Sequence, residues 1–331
     1  MNRLIIIGIV LLVAVSCRKD PEPQGYQPTP YDLEIPTGFP GMIIPADNPL
    51  TEEGVELGRR LFYDERLSGD NTMACASCHM PAAGFGENIA VSTGIDGIAG
   101  TRNSMPLFNI GWAPQYFWDG RATTLEEQIL EPINNPIELH DNWVGVAEEL
   151  EEDALYPSMF AKAFGSSDID SVRITKAIAQ FLRTMISADS RFDQWLRGEL
   201  VLTPQEFQGL SEFNSLTGAD CFHCHPTSVG LFTDFTFRNN GLKAAGDITD
   251  PGRQAVTGSS DPKQFGAMKV PSLRNLVFTA PYMHDGSLQT IDDVIEFYSH
   301  EVNDGPHTDL LMEFSSQGGV QLNATQKANL K

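Results

Sequence analysis

Four of the five cysteines in this 331-residue chain stand in two Cys-x-x-Cys-His units, Cys75 and Cys78 before His79 and Cys221 and Cys224 before His225. Each step of that spacing has a chemical use. The two thiols can add to the two vinyl groups of one haem, and the adjacent histidine then lies under the iron and supplies its proximal nitrogen. Two covalently bound c-type haems are therefore expected, with His79 and His225 as axial ligands. A shared zinc site fits poorly, because 142 residues separate Cys78 from Cys221, far beyond the usual ligand spacings. A redox disulfide would need no histidine after the pair.

The elements that must position these motifs come in two copies. "GRRLFYDERLSGDNTMACASCH" has a counterpart in "GLSEFNSLTGADCFHCH", and "APQYFWDGRATTLEEQI" in "APYMHDGSLQTIDDVI". Both later segments turn at Asp-Gly, at Asp119-Gly120 and Asp285-Gly286, and then open a helix with a capping signature, Thr124 before Glu127 and Thr290 before Asp293. Thr203, Pro204 and Glu206 mark another helix start, after which Phe207, Leu210 and Phe213 recur at helical spacing. Ile174, Ala177, Ile178, Phe181, Leu182 and Met185 form a longer amphipathic helix. With no run of alternating strands, the expectation is a mainly α protein of two cytochrome c-like haem domains with long loops, spanning 47–200 and 201–331. The short amphipathic start "LNATQKANLK" suggests a chain cut short of its natural end.

The apolar run from Leu4 to Ser16, behind Arg3, is too short for a comfortable membrane span and suits a secretory signal. Its end, Ala14-Val15-Ser16-Cys17, resembles a bacterial lipoprotein signal, although that family more often has leucine at the Ala14 position; an ordinary signal or a retained anchor is the alternative. The expectation is a signal over 1–16, lipidation of Cys17, and a flexible Pro-rich tether over 17–46. Such a chain is exported to the periplasm or cell envelope and held to the membrane by its lipid alone. The net charge of −22 excludes nucleic acid as a natural partner and favours a small basic protein. Monomer and homodimer both remain open.

The strings "LFYDERLSGDNTMACASCH", "TRNSMPLFN", "QYFWDGRATTLEEQILEPINNPIEL" and "VPSLRNLVFTAPYMHDGSLQTIDDVIEFY" make the chain from about Asp47 onward resemble the bacterial dihaem cytochrome c peroxidases, whose relatives include the methylamine-utilisation dihaem enzymes. The resemblance implies that the His79 haem meets hydrogen peroxide and the His225 haem handles electrons. It places a proton-shuttling glutamate at Glu138, an accompanying glutamine at Gln128 and an inter-haem tryptophan at Trp118. It also implies a calcium ion between the domains, held by the Asn103 side chain and the backbone carbonyls of Thr279 and Pro281; oxygen-only ligands suit such a hard cation.

Two departures from the family pattern matter. Residues 80 to 139 contain no histidine, so the usual blocker of the peroxidatic iron is missing and an open position is expected, unless the loop from Met80 to Arg102 supplies another blocker. The sixth ligand of the second haem, a methionine in the peroxidases, falls on Tyr298, the pattern of the methylamine-utilisation branch; Met283 and Met268 are the alternatives, and a plain core tyrosine is another reading. Three functions follow. The first is a peroxidase reducing hydrogen peroxide to water with electrons from a small donor such as cytochrome c. The second is a peroxide-driven oxidase of a protein or small molecule that uses a His/Tyr-ligated second haem. The third is a non-catalytic dihaem electron carrier, against which Glu138 and an open iron argue.

Overall fold

The computed structural model describes residues 25–331; the signal segment and Cys17 lie outside the described residues. The first half contains α1 (Glu52–Phe62), α2 (Cys75–Cys78), α3 (Leu125–Asn134), α4 (Trp143–Glu152), α5 (Tyr156–Phe164), α6 (Ser171–Arg183) and α7 (Arg191–Leu196). The second contains α8 (Pro204–Phe213), β1 (Phe237–Arg238), α9 (Arg253–Thr257), β2 (Met268–Lys269), α10 (Ile291–Glu296) and α11 (Ala324–Leu330). The strands pair antiparallel, Phe237 opposite Lys269 and Arg238 opposite Met268. The protein is thus mainly helical with long connections.

Local chemistry explains where the helices begin. Thr124, Thr203 and Thr290 each accept from the amide three residues on, while Glu127, Glu206 and Asp293 reach back to the cap, which satisfies two otherwise free amides at each start. The expected long helix is α6, whose Ile174, Ala177, Ile178 and Leu182 are buried. The principal core is built from residues between Leu57 and Met185, with Tyr156 and Phe160 fully enclosed. One helix departs from its pattern: Phe207 of α8 is exposed, and the buried position is Gly209, against which the backbone of Asn329 lies. Short α11 thereby finds a seat on α8, with Gln326 Nε2 donating to Glu212 and Lys327 Nζ to Glu296.

The duplication is visible in the backbone. Tyr116 bridges to Ala122 around the first Asp-Gly turn, and Tyr282 bridges to Leu288 around the second. Asn109 and Asn275 are both left-handed residues that open a short 3-10 turn. Phe117 and Met283, at the same place in the two hairpins, both have positive φ, 62° and 74°.

Each Asp-Gly turn is pressed into the opposite half. A Cβ on Gly120 (φ 73°) would lie 2.2 Å from the Phe237 ring, and one on Gly286 (φ 62°) would lie 2.4 Å from Ala90 Cα. Polar groups close the seam. Arg253 Nη1 donates to the Asp119 and Gly120 carbonyls at 2.9 Å, Lys269 N donates to Trp118 O at 2.7 Å, and Asn103 N donates to His284 O at 2.7 Å. Arg102 bridges Asp119 and Asp250.

The expected flexible tether is not free from residue 25 on. Tyr26 Oη donates to Ala163 O, Thr29 binds Glu53, and Trp112 Nε1 donates to Pro40 O. Phe39 stacks on Trp112 at 5.3 Å and takes the Arg274 guanidinium on its ring at 4.9 Å. The aromatic residues interspersed in this Pro-rich stretch find apolar surface, so the segment forms a strap over both halves.

Candidate functional site

The two histidines are set up alike. Nδ1 of His79 donates to Phe85 O at 3.0 Å, and Nδ1 of His225 donates to Phe232 O at 2.9 Å. A carbonyl only accepts, so the proton sits on Nδ1 and the Nε2 lone pair is left for a metal. Desolvation holds both imidazoles below their ordinary pKa, which keeps them neutral and ligand-competent. Desolvation also pushes the thiols up, to about 12 for Cys75 and Cys221 and about 11 for Cys78 and Cys224. All four are unpaired. Apolar surroundings suit neutral sulfur, such as a thioether, better than a thiolate metal centre, and among the described residues no three His, Cys, Asp or Glu side chains converge to hold an ion.

Cys75, Cys78 and His79 line a cavity of about 520 Å³ that Glu138, Gln128 and Trp118 also line. α3 supplies Gln128. Pro132, one turn later, lacks the amide that would close onto the Gln128 carbonyl, and the chain folds back beyond it, with Leu139 N donating to Pro132 O and Asp141 N to Ile133 O. That reversal carries Glu138 to the cavity. Its Oε1 accepts from Asn135 Nδ2 at 2.7 Å, and its carbonyl accepts from Ile95 N at 3.0 Å. Desolvation raises the Glu138 pKa, while the Asn135 hydrogen bond opposes the rise.

The loop after the first motif is stitched down. A Cβ on Gly94 would meet the Ile137 and Glu138 carbonyls, Asn88 Nδ2 donates to the Phe278 and Ala280 carbonyls at 2.8 Å, and the Asp96 carboxylate pairs with His140. Between Ser92 and Thr101 the loop turns only serine, threonine and glycine into the cavity. Of the thioethers on its wall, Met73 leads into the motif and the Met105 backbone lies against the His79 ring.

Lys269 was not foreseen from sequence. Its side chain is buried and lines the cavity, with Nζ donating to Gln115 O at 3.1 Å, and desolvation lowers its pKa to about 8. Arg102 and Arg121 already engage nearby Asp119, so a buried ammonium here suits a bound group that carries carboxylates of its own. A haem has two, and the residues present fit it.

Trp118 sits at the seam, its Nε1 donating to Asn103 O at 2.8 Å and its ring 6.4 Å from that of His284. Asn103 is buried, with Nδ2 donating to Ile89 O and Ala90 O. Thr279 lies against Gly84 of the same loop, and Pro281 follows a cis peptide bond. The three oxygen donors expected for calcium therefore all belong to segments that meet at this loop and its seam.

Around the second motif, a π-helical turn at Phe297–Glu301 continues α10 and carries Tyr298. Such turns often mark functional positions. Oη of Tyr298 accepts from Asn240 Nδ2 at 3.0 Å. Desolvation pushes the hydroxyl up to about 12, the Asn240 hydrogen bond opposes this, and the Cys224 and Cys221 sulfurs are near enough to add to it. Met283 Sδ is 3.6 Å from the same Asn240 nitrogen. Met268 instead is buried in β2 opposite Arg238. Asn135, Asn240 and Lys269 carried no motif signal in the sequence.

A model of the di-haem cytochrome c peroxidase family matches residues 52–200. The chain is 37% identical over 258 residues to methylamine utilization protein MauG of Methylophilus methylotrophus, covering 78% of this chain and 75% of that protein. It is 35% identical over 258 residues to cytochrome c551 peroxidase of Nitrosomonas europaea, covering 76% and 75% respectively. Among solved structures, a MauG-like protein associated with microbial copper homeostasis superposes with a TM-score of 0.81 at 34% identity, covering 91% of this chain and 93% of that one.

Proposed function

The chain belongs to the di-haem cytochrome c peroxidase family, a family of oxidoreductase enzymes, and from that premise we propose that it reduces hydrogen peroxide to water at the His79 site. Electrons come from a small basic donor protein through the His225 site. The observation that carries this reading is a desolvated, hydrogen-bonded Glu138 on the same cavity as Cys75, Cys78 and His79.

A haem held by Cys75, Cys78 and His79 would supply the redox chemistry that splits the O–O bond. Glu138, deprotonated, accepts the proton from the oxygen that will remain and returns it to the oxygen that leaves as water. Asn135 holds one oxygen of that carboxylate in place. Gln128 offers a carboxamide on the same cavity, and the stitched loop forms part of its wall. Trp118 lies on the route between the halves. Overall, one peroxide, two electrons and two protons give two waters.

A second reading, peroxide-driven oxidation of a protein or small molecule, is favoured by Tyr298 beside the second motif, since a hard phenolate stabilises an oxidised iron better than a thioether does. The calcium ion at Asn103, Thr279 and Pro281, the lipid on Cys17 and an envelope location belong to the same proposal. Among the described residues no helix is long and apolar enough to cross a membrane.

Substituting Glu138→Gln tests the first reading. The expected outcome is unchanged haem content with the peroxide reaction slowed by about 10²–10⁴-fold in stopped-flow mixing. An unchanged rate would remove Glu138 from the chemistry.

A further inference from the structure

We propose that Met283 is a second potential iron ligand on the same face of the second haem as Tyr298, and that Asn240 decides between them in favour of Tyr298. The proposal rests on the reading that His225 binds a haem.

Three observations carry it. First, one carboxamide nitrogen touches both candidates: Asn240 Nδ2 is 3.0 Å from Tyr298 Oη and 3.6 Å from Met283 Sδ. The two side chains therefore share one small region.

Second, the duplication places both. The Asp-Gly turns and capping threonines keep one register, Gly120 to Thr124 and Gly286 to Thr290, so Met283 corresponds to Phe117 and Tyr298 to Pro132. Phe117 and Pro132 both line the cavity of the first motif. By the same architecture Met283 and Tyr298 face the second. Neither phenylalanine nor proline can ligate iron, whereas a thioether and a phenol both can. At these two positions, one backbone frame thus offers no ligand in the first half and two in the second.

Third, the backbone invests in placing them. Met283 holds φ at 74° and Phe117 at the matching place holds 62°, so the hairpin geometry that presents this position is shared by both halves. Tyr298 sits in the π-helical turn, whose carbonyls are taken by the segment that packs on it, with Val320 N donating to Tyr298 O at 3.1 Å and Gln321 N to Ser299 O at 2.9 Å.

Asn240 breaks the tie. Its N–H donates to Tyr298 Oη at 3.0 Å, a hydrogen bond that fixes where the phenol oxygen lies. The contact with Met283 Sδ holds the thioether to the side through a weak acceptor. Asn240 acts through its neighbours and is a positioning residue.

The test uses the haem-loaded protein and reads the second haem by absorption and electron paramagnetic resonance in the oxidised state, with haem content measured separately. Tyr298→Phe should keep a low-spin second haem and gain the thioether-to-iron charge-transfer absorption in the red. The double variant Tyr298→Phe, Met283→Leu should lose both. Identical spectra for the single and double variants would overturn the proposal. Should Tyr298→Phe not accumulate, Asn240→Ala keeps both ligands and should show a mixture of the two signatures; a wild-type spectrum would remove Asn240 as arbiter. A preparation holding fewer than two haems would instead overturn the underlying reading, and the haem measurement tells that failure apart.

Discussion

Glu138 and Asn135 form the smallest unit on which the proposed chemistry turns. A carboxylate must be ionised to take a proton from peroxide, so activity falls as pH drops through the Glu138 pKa. Desolvation raises that pKa and the Asn135 hydrogen bond lowers it. Removing Asn135 therefore raises it further, and the acidic limb of the pH–rate profile for peroxide reaction should move to higher pH in Asn135→Ala; an unmoved limb would assign Asn135 to the backbone turn alone. Both attachment motifs were legible in the chain because their spacing is tied to covalent chemistry, and Glu138 was reached only through the family resemblance of the string around it. Asn135, Asn240 and Lys269 were not, since each matters only through a partner that folding brings to it across the cavity or seam.

The helices show how one unit yields two different sites. Capping threonines at Thr124 and Thr290 start α3 and α10 in register, and the outcomes diverge about two turns later, at Pro132 and Tyr298. Pro132 opens α3 and lets the chain turn Glu138 inward, whereas α10 passes into the π-helical turn that holds Tyr298. Thr290→Ala should cost about 1 kcal/mol of stability by loss of the cap, measured by urea unfolding, and should broaden the low-spin resonance, because α10 carries Tyr298. Thr124→Ala should cost a similar amount while leaving that resonance alone. The helix starts were readable from local residue types, which is where capping acts. Phe207 and the strap over 25–46 were not: α8 uses Gly209 for close approach to α11, and the strap finds its partners, Trp112, Ala163 and Arg274, far along the chain.

Taken together, the two halves are joined by reciprocal insertion, each Asp-Gly turn entering the other half, with Trp118 at the crossing. Gly120→Ala should destabilise the protein by about 1–3 kcal/mol through backbone strain and overpacking, since both φ and the Phe237 ring forbid a Cβ there. It should also slow electron passage from the second site to the first, which single-turnover kinetics would show as a lag after peroxide. The net charge of −22 acts at longer range: reduction by a basic cytochrome should fall on the order of 10-fold or more as ionic strength rises, while a neutral small-molecule donor should be indifferent to salt. The paired architecture was visible in the repeat, but the insertion was not, because each contact joins residues more than a hundred positions apart.

The proposal of an open first site beside a closed second one is tested most directly by one experiment. The fully oxidised, haem-loaded protein is mixed with hydrogen peroxide before any reductant is added, and absorption and electron paramagnetic resonance are followed together. One high-spin haem beside one low-spin haem, with immediate loss of the high-spin signal on mixing, is the predicted result. Two low-spin haems that ignore peroxide until an electron is supplied would contradict it.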